Sequence, residues 1–201
     1  MPSATAADRV AADRLPFATV PLSPAIGVDV VGLDLDGLTG DTVMALRRTI
    51  LDHCVVRLRG YAIDDAKHVE LARLFGGLVM SSVARRKGKI WNEAYPELLV
   101  ISNIKENGEA QGELGDGELN WHTDQAFDEI PPALSMLRAV EVPAQGGDTG
   151  FANMFKAHDG LPAKLKERIA GLRLKHQMSH DAQGKPRFGF EHLAADDVTQ
   201  L

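Results

Sequence analysis

The stretch Trp121-His122-Thr123-Asp124-Gln125-Ala126-Phe127 decides the interpretation of this chain. It contains a His-x-Asp pair, and the sequence continues through Pro131-Pro132 to Gly146-Gly147-Asp148-Thr149. The pair alone is a weak signal, because 7 His and 28 acidic residues in 201 positions give about one such pattern by chance. What separates a metal site from a coincidence is the local structure that surrounds the pair.

A second pair of this kind, His68-x-Glu70, provides an internal comparison. Asp64 can cap a helix at this point, and an apolar residue follows at every third position from Val69 to Phe75. Residues two apart on a helix point to nearly opposite sides, so His68 and Glu70 cannot hold one ion. We interpret this pair as part of a solvated helix face.

His122 and Asp124 lie in a different context. They follow a Gly-rich segment and precede residues 125–127, which look extended. On a strand, positions i and i+2 project from the same face, so an imidazole and a carboxylate can converge on one cation. The sequence therefore predicts a short strand that carries two metal ligands.

The composition is that of an ordinary globular chain, with 44% hydrophobic and 25% charged residues. A net charge of −6 with mixed signs argues against nucleic acid as the main partner. The basic cluster Arg85-Arg86-Lys87-Gly88-Lys89 is either a solvated loop or an anion-steering rim beside a site.

The single cysteine, Cys54, rules out an internal disulfide and favours a reducing compartment. No apolar run approaches the length of a membrane span, and residues 1–8 lack a continuous apolar segment. We therefore expect a cytoplasmic protein without a membrane partner.

Hydrophobic patterning predicts short strands mixed with peripheral helices. Strands are predicted at residues 17–22, 26–35, 54–58, 98–102, 132–140, 149–152 and 172–176, and helices after Asp41, Asp64, Asn153 and Leu161. This pattern favours a β-sandwich or jelly roll, an α+β fold that is mainly β, over a doubly wound sheet. Residues 1–15 are expected to be disordered, and residues 16–201 to belong to one domain. The Gly-rich residues 106–118 are expected to form a mobile loop, either a lid or a plain surface connection.

Taken together, Trp121-His122-Thr123-Asp124, Phe127, the Pro pair and Gly146-Gly147-Asp148-Thr149-Gly150-Phe151-Ala152-Asn153-Met154 resemble the taurine dioxygenase family of Fe(II)- and 2-oxoglutarate-dependent oxygenases. The interval between His122 and Thr149 also matches that family. The resemblance implies a double-stranded β-helix, the jelly roll of this family, with Fe(II) as cofactor and 2-oxoglutarate and O2 as co-substrates.

The resemblance also implies roles for individual residues. His122 and Asp124 would supply two of three iron ligands, and such a facial set leaves three positions open for exogenous ligands. Thr149 matches the residue whose hydroxyl helps to hold the distal carboxylate of 2-oxoglutarate. Trp121 would pack beside the metal strand without touching a ligand. Family halogenases have a small residue in place of Asp124, so the resemblance implies a hydroxylase or a related oxidase.

The expected substrate is a small anionic molecule. Taurine is disfavoured, because the taurine-binding His of the family has no counterpart in residues 77–83. Asn120 and Gln125 flank the metal pair and are candidates for the pocket lining, although both are equally plausible as ordinary strand-edge polar groups. Homo-oligomer formation is left open.

The third iron ligand does not follow from these motifs. In the family, the distal His and an Arg that pairs with 2-oxoglutarate lie far downstream of the His-x-Asp pair. His176 and Arg187 reproduce the usual interval between those two, but residues 172–176 match an earlier, non-ligand segment of the family. We therefore expect the N-terminal two-thirds of such an enzyme, incomplete at the C-terminus. The alternative is a catalytically inactive, truncated jelly-roll module that acts in binding or assembly.

Overall fold

The structure is a computed structural model that describes residues 15–80, 84–85, 88–114, 121–174, 176, 179–180 and 184–186. The chain divides into two compact units. The first comprises Met1–Gly76 and Ala139–Ala170, and the second comprises Gly77–Arg138 and Gly171–Leu201. The disorder predicted for residues 1–15 falls, apart from Leu15, outside the described residues. Within the described residues, no helix is long and apolar enough to cross a bilayer.

The sheet of the first unit has three strands in the order β1 (Ala18–Pro21), β2 (Val28–Val31) and β3 (Val56–Leu58). β1 is antiparallel to β2, and β2 is parallel to β3. Val28 and Val30 are almost fully buried on one face of β2, as the alternation of the sequence predicts.

Asp29 projects between these two valines to the other face of β2. It accepts two hydrogen bonds from its ladder partner Arg57, from Nε at 2.7 Å and from Nη2 at 2.9 Å. The Arg57 guanidinium lowers the pKa of the Asp29 carboxyl below its ordinary value, and the carboxylate raises the pKa of Arg57. This bidentate pair joins the two parallel strands.

Two helices of the first unit begin at side-chain caps. In α1 (Gly40–His53) the Thr39 side chain accepts from the Thr42 N–H, so Asp41 lies in the first turn and does not open the helix as predicted. In α2 (Asp65–Arg73) the predicted cap is confirmed, because Asp64 accepts from the Lys67 N–H at 2.8 Å.

Apolar burial holds these helices against the sheet. The buried apolar side chains among the described residues are Phe17, Val28, Val30, Leu33, Leu35, Leu46, Val69 and Leu71. Arg47 of α1 adds a polar connection, donating to the carbonyls of Leu74 (3.3 Å) and Phe75 (2.5 Å) just after α2. The helix carrying His68 and Glu70 is therefore a structural element of the core, and the Glu70 carboxylate pairs with Lys67.

The first unit also contains α3 (Met154–Asp159) and α4 (Ala163–Ile169). The predicted cap of α3 is confirmed, because Asn153 accepts from the Lys156 N–H at 3.0 Å. The Asn153 amide also donates to the Ala25 carbonyl, and Lys156 Nζ donates to the Pro24 carbonyl. These bonds fix the start of α3 to the turn between β1 and β2.

The described strands of the second unit are short, and residues 84–85 are helical. β4 (Ile101–Ser102) pairs in parallel with β7 (Glu113–Leu114), and β5 (Lys105–Glu106) pairs antiparallel with β6 (Glu109–Ala110). Asn107 and Gly108 join β5 to β6 with φ of 52° and 84°, the backbone that an Asn-Gly hairpin adopts. The loop predicted at residues 106–118 is thus wrong for residues 106–114, and residues 115–118 lie outside the described part.

Several predicted strands are absent from the described residues. Residues 132–140 and 149–152 have no strand, and neither do residues 172–174 and 176. Side-chain exposure nevertheless alternates from residue 131 to residue 138. This exposure pattern is that of a strand, but a strand also needs a backbone partner for its ladder. The described structure consists of helices and small sheets.

Candidate metal centre

The structure brings His122 and Asp124 together in the second unit. His122 Nε2 lies 3.2 Å from Asp124 Oδ1, and each of the two side chains is 54% exposed. An imidazole nitrogen and a carboxylate oxygen are thus adjacent, and a metal ion could reach both from solvent.

The backbone under this pair is a turn, and the predicted strand is wrong. Residues 124–127 form the turn, and the Asp128 N–H donates to the Gln125 carbonyl at 3.0 Å. Gln125 has a φ of 45°, in the left-handed region that L residues other than Asn and Asp rarely adopt. The turn therefore begins at Asp124, whereas His122 and Thr123 precede it without regular structure.

Ser135 fixes the orientation of the Asp124 carboxylate. Its Oγ donates to Asp124 Oδ2 at 2.6 Å, a short hydrogen bond. With Oδ2 engaged, Oδ1 is the oxygen beside His122. Sequence reasoning missed Ser135, whose only signal was a hydroxyl within the apolar residues 133–140.

The spacing of the pair fits a divalent transition metal. Two cis ligands at about 2.1 Å from a metal in octahedral geometry lie about 3 Å apart. The observed 3.2 Å is close to that separation, and imidazole with carboxylate is a donor set that suits iron. Within the described ranges, no group of three or more His, Cys, Asp or Glu side chains is placed to hold a metal.

Of the other residues predicted near the pair, the structure describes Trp121 and Gln125. Trp121 is 75% exposed, so the expectation that it packs beside the metal ligands is wrong. Gln125 is partly buried, and its Oε1 accepts a hydrogen bond from Arg85 at 2.6 Å. Asn120 lies outside the described residues.

Thr149 and His176 are exposed side chains. Thr149 belongs to the first compact unit, whereas His122 and Asp124 belong to the second. Arg187, the partner considered for His176, lies outside the described residues. The co-substrate role of Thr149 therefore stays a prediction.

Comparison with known proteins identifies relatives over most of the chain. Residues 18–199 match the family described as Taurine catabolism dioxygenase TauD, TfdA family. The chain is 34% identical over 165 residues to an alpha-ketoglutarate-dependent 2,4-dichlorophenoxyacetate dioxygenase of Cupriavidus pinatubonensis, covering 78% of this chain and 56% of the relative. It is 31% identical over 163 residues to an alpha-ketoglutarate-dependent sulfate ester dioxygenase of Pseudomonas putida, covering 80% and 50%.

A third relative is pentalenolactone F synthase of Streptomyces avermitilis, 34% identical over 180 residues, with 86% of this chain and 54% of the relative covered. The chain thus spans about half the length of the curated relatives it matches.

Proposed function

The chain belongs to the taurine catabolism dioxygenase TauD, TfdA family, and on that premise we propose that the complete protein is an Fe(II)- and 2-oxoglutarate-dependent dioxygenase. The reaction is hydroxylation, or a related oxidation, of a small anionic molecule. The observation that carries this proposal is the 3.2 Å approach of His122 Nε2 to Asp124 Oδ1 on an exposed turn. We further propose that the chain contributes to the double-stranded β-helix of the family.

In this proposal His122 and Asp124 hold the iron through Nε2 and Oδ1. Bound iron would supply the redox chemistry, in which O2 oxidises 2-oxoglutarate to succinate and CO2 and one oxygen atom enters a substrate C–H bond. Ser135 holds the second carboxylate oxygen and so keeps Oδ1 turned toward His122. Thr149 would donate its hydroxyl to the distal carboxylate of 2-oxoglutarate.

The substrate class rests on the relatives. Two of them are named for a phenoxyacetate and for a sulfate ester, which both carry a negative charge beside an organic group. We propose a substrate of that kind, a small molecule with a carboxylate or sulfate. Asn120 and Gln125 are the candidate lining residues, and Gln125 would use its amide N–H group, since its Oε1 already accepts from Arg85. A cytoplasmic location is proposed from the single cysteine.

The test is succinate release by this chain with Fe(II), ascorbate and 2-oxoglutarate, with 2,4-dichlorophenoxyacetate as the first probe substrate. Release should depend on His122 and be lost in His122→Ala. The matched control is His158→Ala, because His158 is a similarly exposed histidine, 3.6 Å from Asp159, in the first unit. Equal release by the parent and His122→Ala would contradict the proposal.

A second candidate is a non-catalytic binding or assembly module. The observation that favours it is a set of exposed apolar side chains in the first unit, namely Val140, Val142, Met154 and Phe155, each more than two-thirds exposed. The same assay separates the two functions. His122-dependent turnover excludes the module, and a folded, metal-binding chain without turnover supports it.

A further inference from the structure

Arg85 makes hydrogen bonds to Gln125 and Asp128 that the proposed function does not explain. It belongs to the basic cluster that the sequence leaves as either a solvated loop or an anion-steering rim. In the structure its guanidinium Nη2 donates to Gln125 Oε1 and to Asp128 Oδ2, each at 2.6 Å. These partners lie 40 and 43 residues further along the chain, so both contacts are tertiary.

The two acceptors lie at either end of the hydrogen bond that closes the turn beside the metal pair. The Asp128 N–H donates to the Gln125 carbonyl, and the side chains of these same two residues converge on Arg85. Gln125 holds a left-handed φ of 45°, which is unfavourable for a glutamine without outside support. The Asp128 side chain is only 17% exposed, so its pairing with Arg85 is partly shielded from water. Arg85 therefore stabilises a backbone conformation that the local sequence disfavours.

The supported turn begins at Asp124 and so holds the backbone that carries this carboxylate. Asp124 directly precedes Gln125, and its Oδ1 lies beside His122 Nε2. We infer that Arg85 is a positioning residue for the metal centre, acting through Gln125 and Asp128 to hold Asp124 beside His122. This inference rests on the proposed function, since it assigns Arg85 a role toward the metal that His122 and Asp124 are proposed to bind. The guanidinium of this arginine is engaged by acceptors of the protein itself.

The experiment measures the Kd for Mn(II), from the electron paramagnetic resonance signal of the free ion, without any turnover. In Arg85→Ala the Kd should rise about tenfold, the lower range for loss of a group that orients a metal ligand. Arg85→Lys keeps the charge and can donate from one nitrogen to both acceptors, as Nη2 of Arg85 does, so it should recover most of the affinity, within about threefold of the parent. The matched control is Arg48→Ala, since Arg48 on α1 is 77% exposed and lies 3.9 Å from Asp52; its Kd should equal that of the parent.

A second variant keeps the test decisive if Arg85→Ala loses its cooperative thermal transition. Asp128→Asn retains an acceptor for Arg85 and removes the charge, and it should raise the Kd about threefold. A Kd within about 1.5-fold of the parent in both Arg85→Ala and Asp128→Asn would overturn the inference. His122→Ala identifies which proposal fails. If it loses Mn(II) binding while the Arg85 variants do not, only the positioning role falls; if it binds as the parent does, the proposed metal centre falls as well.

Discussion

Replacing Ser135 with Ala should weaken divalent metal binding at His122 and Asp124 while leaving the chain folded. The hydroxyl of Ser135 holds Asp124 Oδ2 at 2.6 Å and thereby restricts the carboxylate to one orientation before metal arrives. Without it, the carboxylate keeps only its contact with His122 and samples more orientations in the unbound protein. The ordering of that side chain then has to occur during binding, which reduces affinity.

The size of the effect follows from this ordering. Immobilising a side chain at a binding site costs about 0.5–1.5 kcal/mol. Asp124 has a short side chain that is 54% exposed, and we take the cost of ordering it as about the middle of that range. A loss of about 1 kcal/mol corresponds to about a fivefold rise in Kd. Little change in thermal stability is expected, since water can replace the lost donor at an exposed carboxylate.

Mn(II) titration provides the assay, with two controls. Ser135→Thr keeps the hydroxyl and should bind Mn(II) as the parent does. Ser23→Ala removes a hydroxyl that donates to the Ile26 carbonyl in the first unit, and it should leave the Kd unchanged. The reasoning is refuted if Ser135→Ala binds within about 1.5-fold of the parent. It is also refuted if Ser135→Thr is weakened as much as the alanine variant.

Three further predictions concern the first unit. Thr39→Ala should lower the free energy of unfolding by about 1 kcal/mol in urea denaturation, because α1 loses its side-chain cap. The Asp29 and Arg57 pair should make the stability of the fold depend on pH, because the pKa of Asp29 is lowered in the folded state. The stability that the pair contributes is present above the ordinary carboxyl pKa. It is lost as the pH falls through the lowered pKa. Thermal unfolding of Asp29→Asn should therefore differ from the parent near neutral pH and approach it in acid, and a constant difference at all pH values would contradict this. Cys54→Ala should leave the Kd for Mn(II) unchanged, because Cys54 caps α1 in the first unit and the metal pair lies in the second.

Features set by neighbouring residues could be predicted from the sequence. The cap at Asp64, the cap at Asn153 and the buried face of β2 each depend on side chains within four positions of one another. Capping and side-chain alternation act at that range, so the sequence alone identifies them. The family motif also directed attention to His122 and Asp124, which the structure places side by side.

The conformation of the metal pair could not be predicted in this way. A left-handed Gln125 is not a local preference, and it is supported by Arg85 from 40 residues earlier in the chain. Residues 132–140 likewise have the apolar composition of a strand, although a strand forms only where another backbone segment completes the ladder. In both cases the deciding contact is tertiary, and no short pattern in the sequence contains it.

The most direct test of the metal centre is anaerobic addition of Fe(II) and 2-oxoglutarate to the chain, followed in the visible region. Chelation of the iron by 2-oxoglutarate gives a weak charge-transfer band that neither component shows alone. The parent and His158→Ala should both develop this band, and His122→Ala should not. A His122→Ala variant with the same band as the parent would contradict the assignment of His122 and Asp124 as iron ligands.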